Sequence, residues 1–109
     1  MNTGLPMMLL RARIQPHLRD EFDRWFDTEH LANVRRIPGI ARAMVGRTSG
    51  PTRLGVFFFM SAEAVQPALS SPQAAYTRGT WARWQEHLEE MSLELWAQVV
   101  TMPIYEEIN

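Results

Sequence analysis

The amino-acid sequence predicts one α+β domain, with helices packed on one face of a four-stranded antiparallel sheet. Two observations support this. Short apolar or alternating runs recur between turn residues, a pattern typical of strands. Other segments repeat apolar residues every three or four positions, a pattern typical of helices. The chain has 109 residues, enough for one hydrophobic core, so residues 1–109 are expected to form a single domain.

The first half of the chain predicts a strand, a helix and a hairpin. Residues 7–14 are apolar and then alternate, so they form a strand that a Gln-Pro pair ends. Residues 16–36 have a helical apolar period, with acidic residues near the start, arginines near the end and a Pro-Gly stop after them. Residues 40–48 and 53–60 are extended and flank Ser-Gly-Pro-Thr, which predicts a β-hairpin.

The second half predicts more helix and a last strand. Ser61 can cap a helix, which a Ser-Ser-Pro sequence then breaks before a short Ala-Ala-Tyr segment. Apolar residues at spacings of three and four predict a third helix over residues 81–95. Residues 97–105 are rich in strand formers and predict a final strand, in which Pro103 favours an edge or a bulge.

This order of elements is the βαββαβ order of ferredoxin-like folds. Helices on one face leave the other face of the sheet to be covered, and that face is expected to carry Leu9, Val45, Phe57 and Phe59 or their neighbours. Whether the odd or the even residues of each strand face the helices stays open at this point. Two sheets packed face to face would cover both apolar surfaces, which predicts a homodimer.

Composition excludes several classes of function. The net charge of -1 gives no electrostatic reason to expect nucleic acid binding. All 11 basic residues are arginine, which excludes Schiff-base, P-loop and general-base lysines. The absence of cysteine excludes thiolate chemistry and cysteine-held metals, and it is compatible with a cytoplasmic location. No leader sequence or membrane-spanning run is recognisable, so we expect no targeting and no membrane partner.

Three short sequences indicate a family. The aromatic pair at residues 25–26, the segment DTEH at 27–30 and the turn IPG at 37–39 resemble the dimeric α/β-barrel superfamily, and its EthD-like branch most closely. The resemblance implies a dimer with a cavity between sheet and helices. It also implies activities such as cofactor-independent oxygenation of aromatic polyketides, isomerisation, sugar mutarotation, haem degradation or dye-decolourising peroxidation.

By the same resemblance, His30 takes the place of the helix-one histidine that points into the cavity, and Trp25 and Phe26 take the place of the aromatics before it. A haem role is not carried over, because His30 lies in helix one and His87 is in no recognisable haem motif. We therefore expect no cofactor. Three scattered histidines without metal-ligand spacing also predict no metal.

His30 and Glu29 are the candidate catalytic residues. At about 100° per residue, Glu29 falls near the middle of the apolar stripe of helix one, with Asn33 beside it and His30 on its flank. A near-neutral imidazole can give and take protons, and a carboxylate can tune it. The alternatives are a packed histidine bonded to the backbone, a solvated carboxylate and an asparagine that satisfies the helix end.

The expected substrate-binding residues are mostly aromatic, because flat rings suit stacking against an aromatic ligand. Arg42 or Arg47 could add a charge, although their odd separation on one strand lets only one of them reach the helix side. Core packing and ion pairing are the competing explanations. The set comprises Phe22, Trp25, Phe26, Asn33, Arg42, Trp81 and Trp84.

Two functions follow. The first is a small cofactor-independent enzyme, of monooxygenase, isomerase or dehydratase type, acting on an apolar aromatic or cyclic oxygenated metabolite through His30. The second is a non-catalytic ligand-binding or dimerisation module of the same fold. An open cavity beside an imidazole with a free nitrogen would favour the first, and a packed, fully hydrogen-bonded His30 would favour the second.

Overall fold

A computed structural model of the protein describes residues 4–100. Four antiparallel strands form one sheet in the spatial order β2-β3-β1-β4. The strands are β1 (Leu5–Ile14), β2 (Ile40–Arg47), β3 (Arg53–Phe59) and β4 (Leu88–Val99). The predicted α+β class with a four-stranded antiparallel sheet is confirmed.

Helical segments pack against one face of this sheet. Residues 16–35 are helical throughout and begin with a short 3₁₀ turn, where a proline suits the first position. The segments that follow are α1 (Arg19–Trp25), a π-helical turn (Phe26–His30), α2 (Leu31–Arg35), α3 (Ala62–Leu69) and α4 (Pro72–Gly79). The hydroxyl oxygens of Ser61 and Ser71 accept hydrogen bonds from the backbone of α3 and α4, so the Ser-Ser-Pro break separates two capped helices.

The predicted helix over residues 81–95 is wrong. Two 3₁₀ turns, Thr80–Arg83 and Gln85–His87, lead directly into β4. The apolar residues of this segment fit a helical period, but Met91, Leu93 and Leu95 also alternate with polar residues. Both periods are therefore present in one sequence. Pairing with β1 satisfies the backbone groups of β4 that face β1 and decides in favour of the strand.

The last strand also differs from the prediction over residues 97–105. It begins at Leu88 and ends at Val99, because β1 offers a partner over that whole length, with Leu88 opposite Ile14 and Val99 opposite Leu5. Residues 101–105, with Pro103, lie outside the described residues.

Cross-strand pairing assigns the two faces of the sheet, since residues directly opposite each other share a face. Phe57 and Val45 face the helices together with Leu10, and Phe59 is fully buried on the same side. Of the residues expected on the uncovered face, only Leu9 is found there, because Val45, Phe57 and Phe59 belong to the alternate set. The sequence neighbours of these three residues lie on the uncovered face instead.

The uncovered face of the sheet, which we call the outer face, has an apolar centre. Leu9 lies opposite Val56, which in turn lies opposite Met44. Met7 lies between Phe58 and Trp96 in the adjacent row. Six apolar side chains therefore adjoin one another on a surface that no helix covers.

The predicted Pro-Gly stop has a steric reason. Gly39 has φ of 93°, a left-handed conformation that favours glycine. A Cβ atom there would lie 3.3 Å from the carbonyl oxygen of Ala64 and 3.4 Å from the Cβ of Ala68, both on α3. Glycine thus lets the chain turn from α2 into β2 against α3.

Among residues 4–100, no helix has the length and apolar character needed to cross a lipid bilayer.

Candidate functional site

A π-helical turn, Phe26–His30, interrupts the helical segment at the sequence that carries the family resemblance. A π-turn takes more residues per turn than an α-helix, so each residue in it rotates less and the residues at its end are shifted back around the helix axis. His30 therefore remains under Phe26 on the buried face, and Glu29 points to solvent. The prediction put Glu29 on the apolar stripe and His30 on its flank, because it applied an α-helical period to the whole segment.

His30 is enclosed by an aromatic cage, which we define as Trp25, Phe26, Phe57 and Trp81. Its ring stacks on Trp25 and Phe26, with centroid distances of 5.2 and 5.0 Å. Trp81 lies edge-on at 5.0 Å and Phe57 at 6.1 Å. Only 2% of the His30 surface is exposed. The imidazole is thus held by flat apolar surfaces rather than by polar contacts.

Neither ring nitrogen of His30 has a hydrogen-bond partner among the described residues, and both are covered. An unpaired buried polar atom costs stability, and the great majority of buried polar atoms in folded proteins are hydrogen-bonded to protein or to ordered water. Burial lowers the pKa of His30 from its usual 6.5 to about 4. The ring is therefore neutral at physiological pH, with one nitrogen that can donate a hydrogen bond and one that can accept.

A cavity of about 280 Å³ lies beside His30, between the helices and the sheet. Its walls are almost wholly apolar, and among residues 4–100 Arg78 is the one permanently charged side chain that lines it. The volume is near the lower end of the range for small-molecule sites. The apolar lining comes from every strand and from the helices, and includes Leu10, Val34, Ile40, Phe57, Phe59, Trp81 and Leu93.

The structure places Glu29 and Asn33 outside this cavity. They line a separate, more polar groove of about 610 Å³ beside α2 and α4. Trp25, Arg36 and Tyr76 also line this groove. The amide oxygen of Asn33 accepts a hydrogen bond from Arg36 at 3.3 Å. The two candidate catalytic residues are therefore not brought together, because adjacent helical residues point in different directions.

The other expected binding residues divide into three groups. Trp81 lines the cavity, and Trp25 and Phe26 stack on His30. Phe22 and Trp84 are buried in the core, with ring centroids 5.2 Å apart, and do not line the cavity. Arg42 is exposed and lies opposite Phe58 on the outer face, so it does not reach the cavity.

Sequence reasoning missed Arg53, which fixes the cage to the sheet. Its side chain is only 4% exposed and bonds Asp23, Asp27 and the backbone oxygen of Gly46. The guanidinium also lies 4.9 Å from the centroid of the Phe26 ring. The sequence contained a signal of this burial, because Arg53 shares its strand parity with Phe57 and Phe59.

Among residues 4–100, no group of three His, Asp or Glu side chains could hold a metal ion.

The fold and this site define a ferredoxin-like α+β protein with an internal apolar cavity and a caged imidazole. Solved structures of the same fold are similar over nearly the whole chain. An EthD family protein from Bacillus halodurans is 17% identical with a TM-score of 0.65, covering 83% of this chain and 97% of that one.

SnoaB from Streptomyces nogalater, a cofactor-independent oxygenase solved as a point variant, is 16% identical with a TM-score of 0.69, covering 93% of this chain and 99% of that one. An antibiotic biosynthesis monooxygenase is 11% identical with a TM-score of 0.64, covering 91% of this chain and 100% of that one. At these identities the similarity establishes the fold. No protein-family profile and no curated protein sequence matches the chain.

Proposed function

We propose that the protein is a small cofactor-independent monooxygenase that takes an apolar aromatic or cyclic oxygenated metabolite into the cavity and uses His30 for proton transfer. The observation that carries the proposal is a neutral, unpartnered imidazole beside an apolar cavity. The names of two structures of the same fold, an oxygenase and a monooxygenase, support it.

The residues of the cavity suit a base that works without a cofactor. A neutral imidazole is the form that can accept the proton of a phenol or of an activated CH₂ group, and the electron-rich anion left beside it would raise the low pKa of His30 and itself reduce oxygen. Conversion of CH₂ to C=O by one O₂ releases one water and balances without an external reductant. Trp81 lies edge-on to His30 and lines the cavity with it. Glu29 and Asn33 have no part in this proposal.

His30→Gln is expected to abolish turnover, since glutamine can form hydrogen bonds but cannot accept the proton. The measurement is oxygen uptake with a panel of polycyclic phenols and hydroquinones, without added flavin and with a chelator present. We expect a loss of at least about a hundredfold. His17→Gln is the matched control because His17 is exposed, and it should keep full activity. Equal activity in the two variants would contradict the role of His30.

A non-catalytic ligand-binding module is the second candidate function. The observation in its favour is that packed side chains cover both nitrogens of His30. It predicts that members of the same panel bind without oxygen uptake or any change of the ligand. Ligand conversion without oxygen uptake would instead indicate an isomerase or a dehydratase, which needs the same proton transfer.

We further propose that the protein acts as a homodimer through its outer face. Leu9, Met44, Val56 and Phe58 form an apolar surface there, and Trp96 on β4 continues it with 46% of its surface exposed. Contiguous exposed apolar surface on a sheet is typical of an interface. A second sheet packed on this face would bury it.

Val56→Arg is expected to convert the dimer into a monomer, because it puts a charge at the centre of the proposed interface. Light scattering coupled to size-exclusion chromatography measures the mass in solution. Ala75→Arg places the same charge on an exposed position of α4 and should leave the dimer intact. A wild-type protein that stays monomeric at micromolar concentration would overturn the dimer proposal.

A further inference from the structure

The cavity has a mouth that the burial of its lining residues defines. His30, Val34 and Phe57 are buried at the inner end. Arg78, Met91 and Leu93 also line the cavity but are exposed to solvent, so we call these three residues the mouth. Two of them are apolar residues of β4 and the third is an arginine of α4. Arg78 therefore lies at a solvent-exposed part of the cavity wall.

The backbone of α4 turns Arg78 towards the cavity. Ala74 lines the same cavity, and residues four positions apart lie on the same side of a helix. Nη1 of Arg78 donates a hydrogen bond to the backbone oxygen of Leu69 at 3.2 Å, which holds the side chain in place. Its Nε and Nη2 atoms contact no acceptor among the described residues, and no carboxylate of residues 4–100 pairs with it.

We infer that Arg78 is a specificity-determining residue that binds a carboxylate carried by the ligand at the mouth of the cavity. The inference rests on the proposed function, since it requires the cavity to be a ligand site. The edge formed by Nε and Nη2 presents two parallel donors, the arrangement that a carboxylate accepts through both oxygens. One guanidinium balances one negative charge, whereas a phosphate dianion would leave a charge uncompensated here.

The cavity also sets the size of the apolar part of the ligand. A volume of about 280 Å³ holds a body of roughly two fused rings, and larger parts would extend past Met91 and Leu93. The apolar rings would then lie against the cage around His30 while the carboxylate stays at the solvent end. The ligand class is therefore an aromatic or cyclic carboxylic acid with its charge at one end.

Calorimetric titration with 2-naphthoate and with 2-naphthamide tests this inference, because the two probes differ in charge and share their rings. Wild-type protein is expected to bind naphthoate about tenfold more tightly than naphthamide. Arg78→Gln should remove this preference and leave the affinity for naphthamide unchanged. Arg78→Lys, which keeps the charge but not the two parallel donors, should retain part of it. Arg24→Gln removes an exposed arginine outside the cavity and should change neither affinity.

The outcomes separate this inference from the function on which it rests. Equal affinity for the two probes, or a preference that survives in Arg78→Gln, would overturn the carboxylate role while naphthamide binding still supports a ligand site. Wild-type protein that binds neither probe would overturn both the ligand site and the role of Arg78. A tenfold preference that is lost only in the Arg78 variants supports the inference.

Discussion

Replacing Arg53 with methionine is expected to lower the free energy of unfolding by about 3 kcal/mol. The side chain is 4% exposed, and its Nη1 lies 3.2 Å from a carboxylate oxygen of Asp23. Its Nε donates to the backbone oxygen of Gly46 at 3.0 Å, and Nη2 bonds Asp27. Methionine fills similar space but makes none of these bonds. The contact between β3 and the helical segment that holds His30 is therefore weakened.

Urea denaturation measures this loss, and Arg47→Met is the matched control. Arg47 also pairs with Asp23, at 3.1 Å, but its side chain is 47% exposed. An exposed ion pair contributes less than about 1 kcal/mol, so the control should change stability little. Arg53→Lys should fall between the two, because one ammonium cannot serve three acceptors in separate directions. Equal losses in both methionine variants would show that burial of Arg53 has no energetic consequence.

Acidification is expected to destabilise the wild-type protein by about 3 kcal/mol more than His30→Phe. The folded protein keeps the pKa of His30 at about 4, below the 6.5 of the free side chain. Between these two values the unfolded chain binds a proton that the folded chain does not. Stability from His30 is therefore full above pH 6.5, falls as the pH falls towards 4, and changes no further below that pH.

The experiment compares unfolding free energies of the two proteins at pH 7.5 and pH 4 in the same buffer series. Phenylalanine suits the aromatic cage and removes two unpaired nitrogens, so at pH 7.5 the variant should be at least as stable as the wild type. Other titrating groups affect both proteins alike and cancel in the difference. Parallel pH curves for the two proteins would contradict a buried neutral imidazole.

Much of the fold could be predicted because local patterns agreed with tertiary structure. In β1 the alternation is unambiguous, and the Pro-Gly stop at residue 39 answers a steric need that only glycine meets. For β4 the pattern fitted both a helix and a strand, and only its pairing with β1 decides between them. A single sequence does not contain that long-range information in its local period.

The candidate site was predictable in part for a related reason. The family resemblance singled out His30 with Trp25 and Phe26, and in the structure these three rings lie together. The π-turn changes which of Glu29 and His30 is buried, and a change of helix type leaves no periodic signal of its own. Only the folded chain shows that Arg78 on α4 reaches the cavity, whereas the strand parity that Arg53 shares with Phe57 was a signal of its burial.

The position of β1 between β3 and β4 has a consequence for how the protein is made. β1 is synthesised before its partner β4, with Val99 opposite Leu5, and β2, β3 and the helices lie between them in the sequence. Contacts between distant parts of a chain form slowly, and an unpaired strand edge promotes aggregation. Until β4 has been synthesised, one edge of β1 stays open and the mouth residues Met91 and Leu93 are missing. The cavity can therefore be completed only after β4 has left the ribosome and paired with β1.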